Sequence, residues 1–78
     1  MRNFNVVTIW DPDEGVWVAT SDDVPGLTTE APSMEALIEK LKVMIPELLD
    51  ANGYKQDGNE VPFTLRSEHT VVSYRHVA

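Results

Sequence analysis

The sequence contains no cysteine, which excludes disulfide staples, thiolate metal sites and thiol nucleophiles. A small domain without disulfides fits a reducing compartment better than an oxidising one. Its opening MRNFNVV lacks an apolar signal region, and no segment approaches the roughly 20 apolar residues of a membrane span. A soluble, cytoplasmic protein without membrane partners is expected. The four glycines, Gly15, Gly26, Gly53 and Gly58, stand alone, so no phosphate-cradling loop is present. Lysine and arginine are missing from the whole stretch between Arg2 and Lys40.

That last gap sets the charge pattern. Asp11, Asp13, Glu14, Asp22, Asp23, Glu30 and Glu35 contribute seven negative charges, which account for the whole formal net charge of −7, since the rest of the chain balances six acidic against six basic residues. Such an anionic stretch repels phosphate backbones and favours a basic partner, so direct nucleic-acid binding is not expected. A plain solvated acidic surface kept for solubility is the alternative.

With 78 residues the chain makes one domain, residues 1–78, with a small core. NFNVVTIW (residues 3–10) is β-branched and aromatic without Gly or Pro, as in a strand. DPDEG then supplies turn residues, and VWVATS (residues 16–21) reads as the second arm of a hairpin. DDVPG punctuates the chain again, and LTTEA (residues 27–31) alternates like a short edge strand. From there Met34, Leu37, Ile38, Leu41, Met44, Ile45, Leu48 and Leu49 form one helical stripe. Ser33 is the expected N-cap and Asn52-Gly53 the expected left-handed terminus. Pro46 interrupts the pattern, and because the stripe resumes after it a kink is expected rather than a stop. After the polar loop YKQDGNE, VPFTLRSEHTVVSYRHV reads as a last strand starting near Phe63, straight or bent around residues 67–69. The order β-β-β-α-β defines an α+β fold: an antiparallel meander, one amphipathic helix on one sheet face, and a last strand free to lie parallel to a neighbour.

Both sheet faces carry apolar residues. Phe4, Val6 and Trp10 project one way, Val7 and Ile9 the other, and on the second strand Val16 and Val18 oppose Trp17 and Ala19. One helix covers one face. The other is expected to be exposed and to drive a homodimer, a higher homo-oligomer or partner binding, unless the C-terminal segment folds over it.

Signals for chemistry are weak. Asp11 and Asp13 flank a turn proline, adjacent Asp22 and Asp23 diverge if extended, and the two pairs belong to opposite ends of a hairpin, so they make a poor metal site. His69 and His76, seven apart, fall on opposite faces of a regular strand and complete no metal motif. Ser21 with a distant His and Asp is no triad signal. Trp10 and Trp17 read as core or interface anchors. No cofactor and no catalytic residue is expected.

The stretch VWVATSDDVPGLTTEAPSMEALIEKL, with an aromatic/Val strand before it and a strand after its helix, resembles the HicB-like antitoxin superfamily. That group shows P-D/E-L-P-G before T-x-G-x-T-x-E-E-A. Here Asp22-Asp23-Val24-Pro25-Gly26 matches the turn and residues 29–36 match the helix start, with Ala31 where many relatives have Gly. Trp10-Asp11, residues 15–27 and the MIPELL of residues 44–49 resemble a short, uncharacterised bacterial subgroup. The resemblance spans most of residues 3–66 and implies a truncated RNase H-like fold without the nuclease's acidic site. It implies a non-enzymatic antitoxin-like module that neutralises a small basic RNase toxin by steric occlusion. Most relatives add a C-terminal DNA-binding domain; this sequence ends at Ala78, so promoter binding is not expected. The partner-binding residues expected are Trp10, Asp11, Trp17, Asp22, Asp23, Pro25 and Gly26. The alternative is a stand-alone homo-oligomeric domain with no toxin partner.

Overall fold

The structure is a computed structural model that describes residues 3–55 and 58–76. Strands β1 (Phe4–Asp11), β2 (Val16–Thr20) and β3 (Thr28–Ala31) are followed by helix α1 (Met34–Ala51) and strand β4 (Phe63–Glu68). The sheet order is β3-β2-β1-β4. The first three strands form the antiparallel meander, and β4 runs parallel to β1. A crossover through a helix is what permits that parallel pairing.

Register fixes which residues share a face. Phe4 pairs with Phe63, Val6 with Leu65, Thr8 with Ala19 and Ser67, Trp10 with Trp17, and Trp17 with Ala31. These lie on the face that α1 covers. From the helix, Leu37, Leu41, Ile45 and Leu49 are fully buried, one per turn at four-residue spacing. Each is worth about 1.5–3 kcal/mol of burial. Among the described residues Thr8 is the one fully buried polar side chain in the core; its hydroxyl shares a 2.7 Å hydrogen bond with Ser67 Oγ, tying β1 to β4.

The helix ends are those read from the sequence. Ser33 Oγ accepts from the Ala36 N–H at 3.1 Å. At the other end Gly53, at φ +74°, donates to the Asp50 carbonyl and Tyr54 donates to that of Leu49, the pair of hydrogen bonds that closes a Schellman terminus. Pro46 does not stop the helix, which continues to Ala51. Its ring leaves the Lys42 carbonyl without an intrahelical donor, and Lys42 is exposed, so water can serve instead.

The last strand is shorter than its sequence suggests. It stops at Glu68, opposite Ile9, and residues 69–76 carry no strand pairing. β1 runs only two residues past Ile9 before it turns away after Asp11, so a strand continuing to residue 76 would have no ladder to join on that side beyond its first two residues. His69 and His76 are thus not on a strand at all. Val77, at the end of the expected strand, and Gln56 and Asp57, in the polar loop, lie outside the described residues.

Candidate functional site

The second connection of the sheet, residues 21–27, is held by a compact set of bonds. Ser21 Oγ donates to the Asn5 carbonyl at 2.6 Å and accepts from the N–H groups of Asp23 and Val24 at 3.0 and 3.2 Å. The Asp23 carboxylate accepts from the Asn5 N–H at 2.8 Å. Leu27 N–H donates to the Val24 carbonyl at 3.2 Å, with Pro25 and Gly26 at the two corners and Gly26 at φ +78°. Proline first and a positive-φ glycine second is the residue pattern of a type II turn. The turn drops Val24 and Leu27 into the core, 0% and 3% exposed, and seats Gly26 near Leu48. Asp22 is exposed and Pro25 half-buried. Ser-Asp-Asp-Val-Pro-Gly-Leu is therefore a folding device: it fastens the β2 end to β1 and closes one end of the core.

The first connection lies at the opposite end of the hairpin. Asp11 Oδ1 accepts from the N–H groups of Asp13 and Glu14 at 3.0 and 3.3 Å, and Gly15 N–H donates to the Asp11 carbonyl at 2.8 Å. Asp13 and Glu14 project into solvent. Beside this turn Trp10 and Trp17 face each other at 5.4 Å between rings, and His69 packs on both at 5.7 and 5.6 Å. All three rings sit at one end of the helix-covered side, where His69 anchors the chain as it leaves β4.

The seven residues expected to meet a partner thus form two groups. Trp10, Asp11 and Trp17 come together at one end; Asp22, Asp23, Pro25 and Gly26 come together at the other. The five residues of β2 separate them by about 17 Å. Between the groups, on the side away from α1, lies the uncovered face. Val7 and Ile9 are 37% and 49% exposed, and half-buried Val16 and Val18 lie across from Asp11 and Ile9. Asp11, Glu30, Glu68 and Arg66 share that face by register. The sequence reading separated these residues by strand alternation but did not place the valines and isoleucine among the binding residues.

Electrostatically, the acidic half is left unneutralised. Among the described residues the one ion pair is Lys42 with Glu39, at 3.0 Å. The Lys40 ammonium donates to the backbone carbonyl of Glu30, at 2.6 Å, blocking part of the β3 edge rather than pairing a carboxylate. No three His, Asp or Glu side chains converge as a metal site among the described residues, and no helix there is long and apolar enough to cross a membrane.

A solved structure is similar to this chain: the hypothetical protein TTHA1013 from the extremely thermophilic bacterium Thermus thermophilus. It is 51% identical, with a TM-score of 0.70, over 94% of this chain and 99% of that one. A search among curated proteins finds no match. The family model for a domain of unknown function, DUF1902, matches residues 3–75, and the chain belongs to that family.

Proposed function

We propose that this domain is a non-enzymatic, HicB-like binding module that captures a small basic protein, in the antitoxin manner, and occludes the partner's working surface. The observation that carries this reading is the unpaired acidic half. None of Asp11, Asp13, Glu14, Asp22, Asp23, Glu30 or Glu35 is in an ion pair among the described residues, and five of the seven are exposed. An uncompensated surface of one sign speeds encounter with a partner of the opposite sign and disfavours nucleic acid. The β-β-β-α-β order with a parallel last strand agrees with the truncated RNase H-like fold that the resemblance implies. A small basic ribonuclease is the partner that fits both charge and resemblance.

The test must spare Asp23, whose carboxylate holds Asn5. The exposed acids Asp13, Glu14 and Asp22 are the ones to reverse. Titrating a small basic ribonuclease of the kind such antitoxin-like modules bind should give a salt-sensitive complex that weakens at least tenfold for Asp13→Lys/Glu14→Lys/Asp22→Lys. No complex, or one indifferent to charge reversal, would overturn the reading. The second reading, a homo-oligomeric domain without a toxin partner, is favoured by the uncovered Val7, Ile9, Val16 and Val18.

A further inference from the structure

Beyond Glu68 the chain leaves the body. Val71, Val72 and Tyr74 are 75%, 68% and 86% exposed, as large apolar side chains seldom are on a folded domain. The radius of gyration is 15.7 Å and the extents are 61 × 22 × 19 Å, against a radius of about 11–12 Å for a compact chain of this length. Residues 70–76 are a projecting arm of strand-forming composition.

This arm is unsuited to covering its own sheet. From Phe63 to Ala78 there is no Gly, Pro, Asn or Asp, and of the residues that favour chain reversal the segment has only Ser67 and Ser73, whose hydroxyls promote turns more weakly. His69, packed against both Trp10 and Trp17, holds the chain at the point where the arm departs. The uncovered face therefore stays open in the single chain, while an apolar segment of matching character stands free beside it.

We infer that two copies of this chain exchange arms, each arm crossing the open Val7/Ile9/Val16/Val18 face of the other. In an extended arm Val72, Tyr74 and His76 share one side and Val71, Ser73 and Arg75 the other, so Val72 and Tyr74 seat together on the aliphatic patch. Seven extended residues reach about 23 Å, and a four-stranded sheet is about 15 Å across, so the arm spans the face. Charge does not oppose this pairing. Asp11, Glu30 and Glu68 outnumber Arg66 on the face, and residues 70–76 carry no acid, while Arg75 lies on the arm's outward side. A reciprocal exchange is self-complementary and closes as a two-fold dimer instead of growing. It leaves Asp13, Glu14 and Asp22 outside the contact.

Sedimentation of the full chain tests this. The unaltered protein should be a dimer. Val72→Asp/Tyr74→Asp and Ile9→Lys/Val18→Lys should each give monomers with unchanged circular dichroism, since Ile9, Val72 and Tyr74 are exposed and Val18 half-buried. Because the natural sequence lacks cysteine, an Ile9→Cys/Tyr74→Cys chain should oxidise to a covalent dimer on a non-reducing gel. A monomeric parent, a dimer that survives the arm substitutions, or a disulfide closed within one chain would overturn the exchange. The inference is independent of basic-partner capture: a monomer that still binds the partner breaks only the exchange, and a dimer that binds none breaks only the partner reading.

Discussion

At residues 11–15 an aspartate bonds only to its own next neighbours, whereas at residues 21–27 Ser21 and Asp23 bond across to Asn5, 16 and 18 positions away. Both connections are Asp-rich, contain one proline and turn on a positive-φ glycine. Only the second sends side chains into the core, through Val24 and Leu27. Like composition thus serves two ends: one turn merely reverses the chain and holds acids in water, and the other closes the hydrophobic layer beneath α1. The difference comes from what each end of the hairpin faces. The C-terminal half of the helix lies over the second connection, with Leu48 close to Gly26, so buried residues there have something to pack against.

That contrast can be broken in graded steps. The largest effect belongs to Leu27→Ala, which empties a buried position and should cost about 2–5 kcal/mol in urea unfolding. For a domain whose total stability is about 4–12 kcal/mol this approaches loss of the fold. A smaller step compares the two aspartates. Asp23→Ala removes a charge-assisted bond to Asn5 and should destabilise by about 1–2 kcal/mol. Asp11→Ala loses only local turn bonds and should cost under about 1 kcal/mol. Equal losses at the two positions would erase the distinction between a cross-strand fastening and a local turn. The smallest effect is expected for Asp13→Lys/Glu14→Lys, whose thermal unfolding should stay within about 0.5 kcal/mol of the parent. A large loss there would mean that the first turn has a structural role its exposed acids do not suggest.

The legible part of the molecule is the local part. Ser33 as cap, Asn52-Gly53 as terminus, the helical stripe and the Pro25-Gly26 turn were readable because each rests on φ preference or side-chain spacing within a few residues. Strand alternation likewise separated Phe4 and Val6 from Val7 and Ile9. The end of β4 was not readable: residues 69–76 are as strand-like as residues 63–68, and it is the tertiary structure that ends the pairing at Ile9 and Glu68 and takes β1 away two residues later. The division of the expected binding residues was half visible. Opposite ends of a hairpin follow from the turns, but the bond that makes Asp23 structural requires the register of β1 against β2.

By itself, then, the sequence determined the element order, the helix and its caps, the turn geometry, the acidic bias and the existence of two apolar sheet faces. Those follow from backbone preferences and periodicity, which act along the chain. The tertiary structure alone decided the order β3-β2-β1-β4, which face α1 covers, the clustering of His69 with Trp10 and Trp17, and the release of residues 70–76 as an arm. Those depend on contacts between distant segments, where register and competition for partners determine what pairs and what is left exposed.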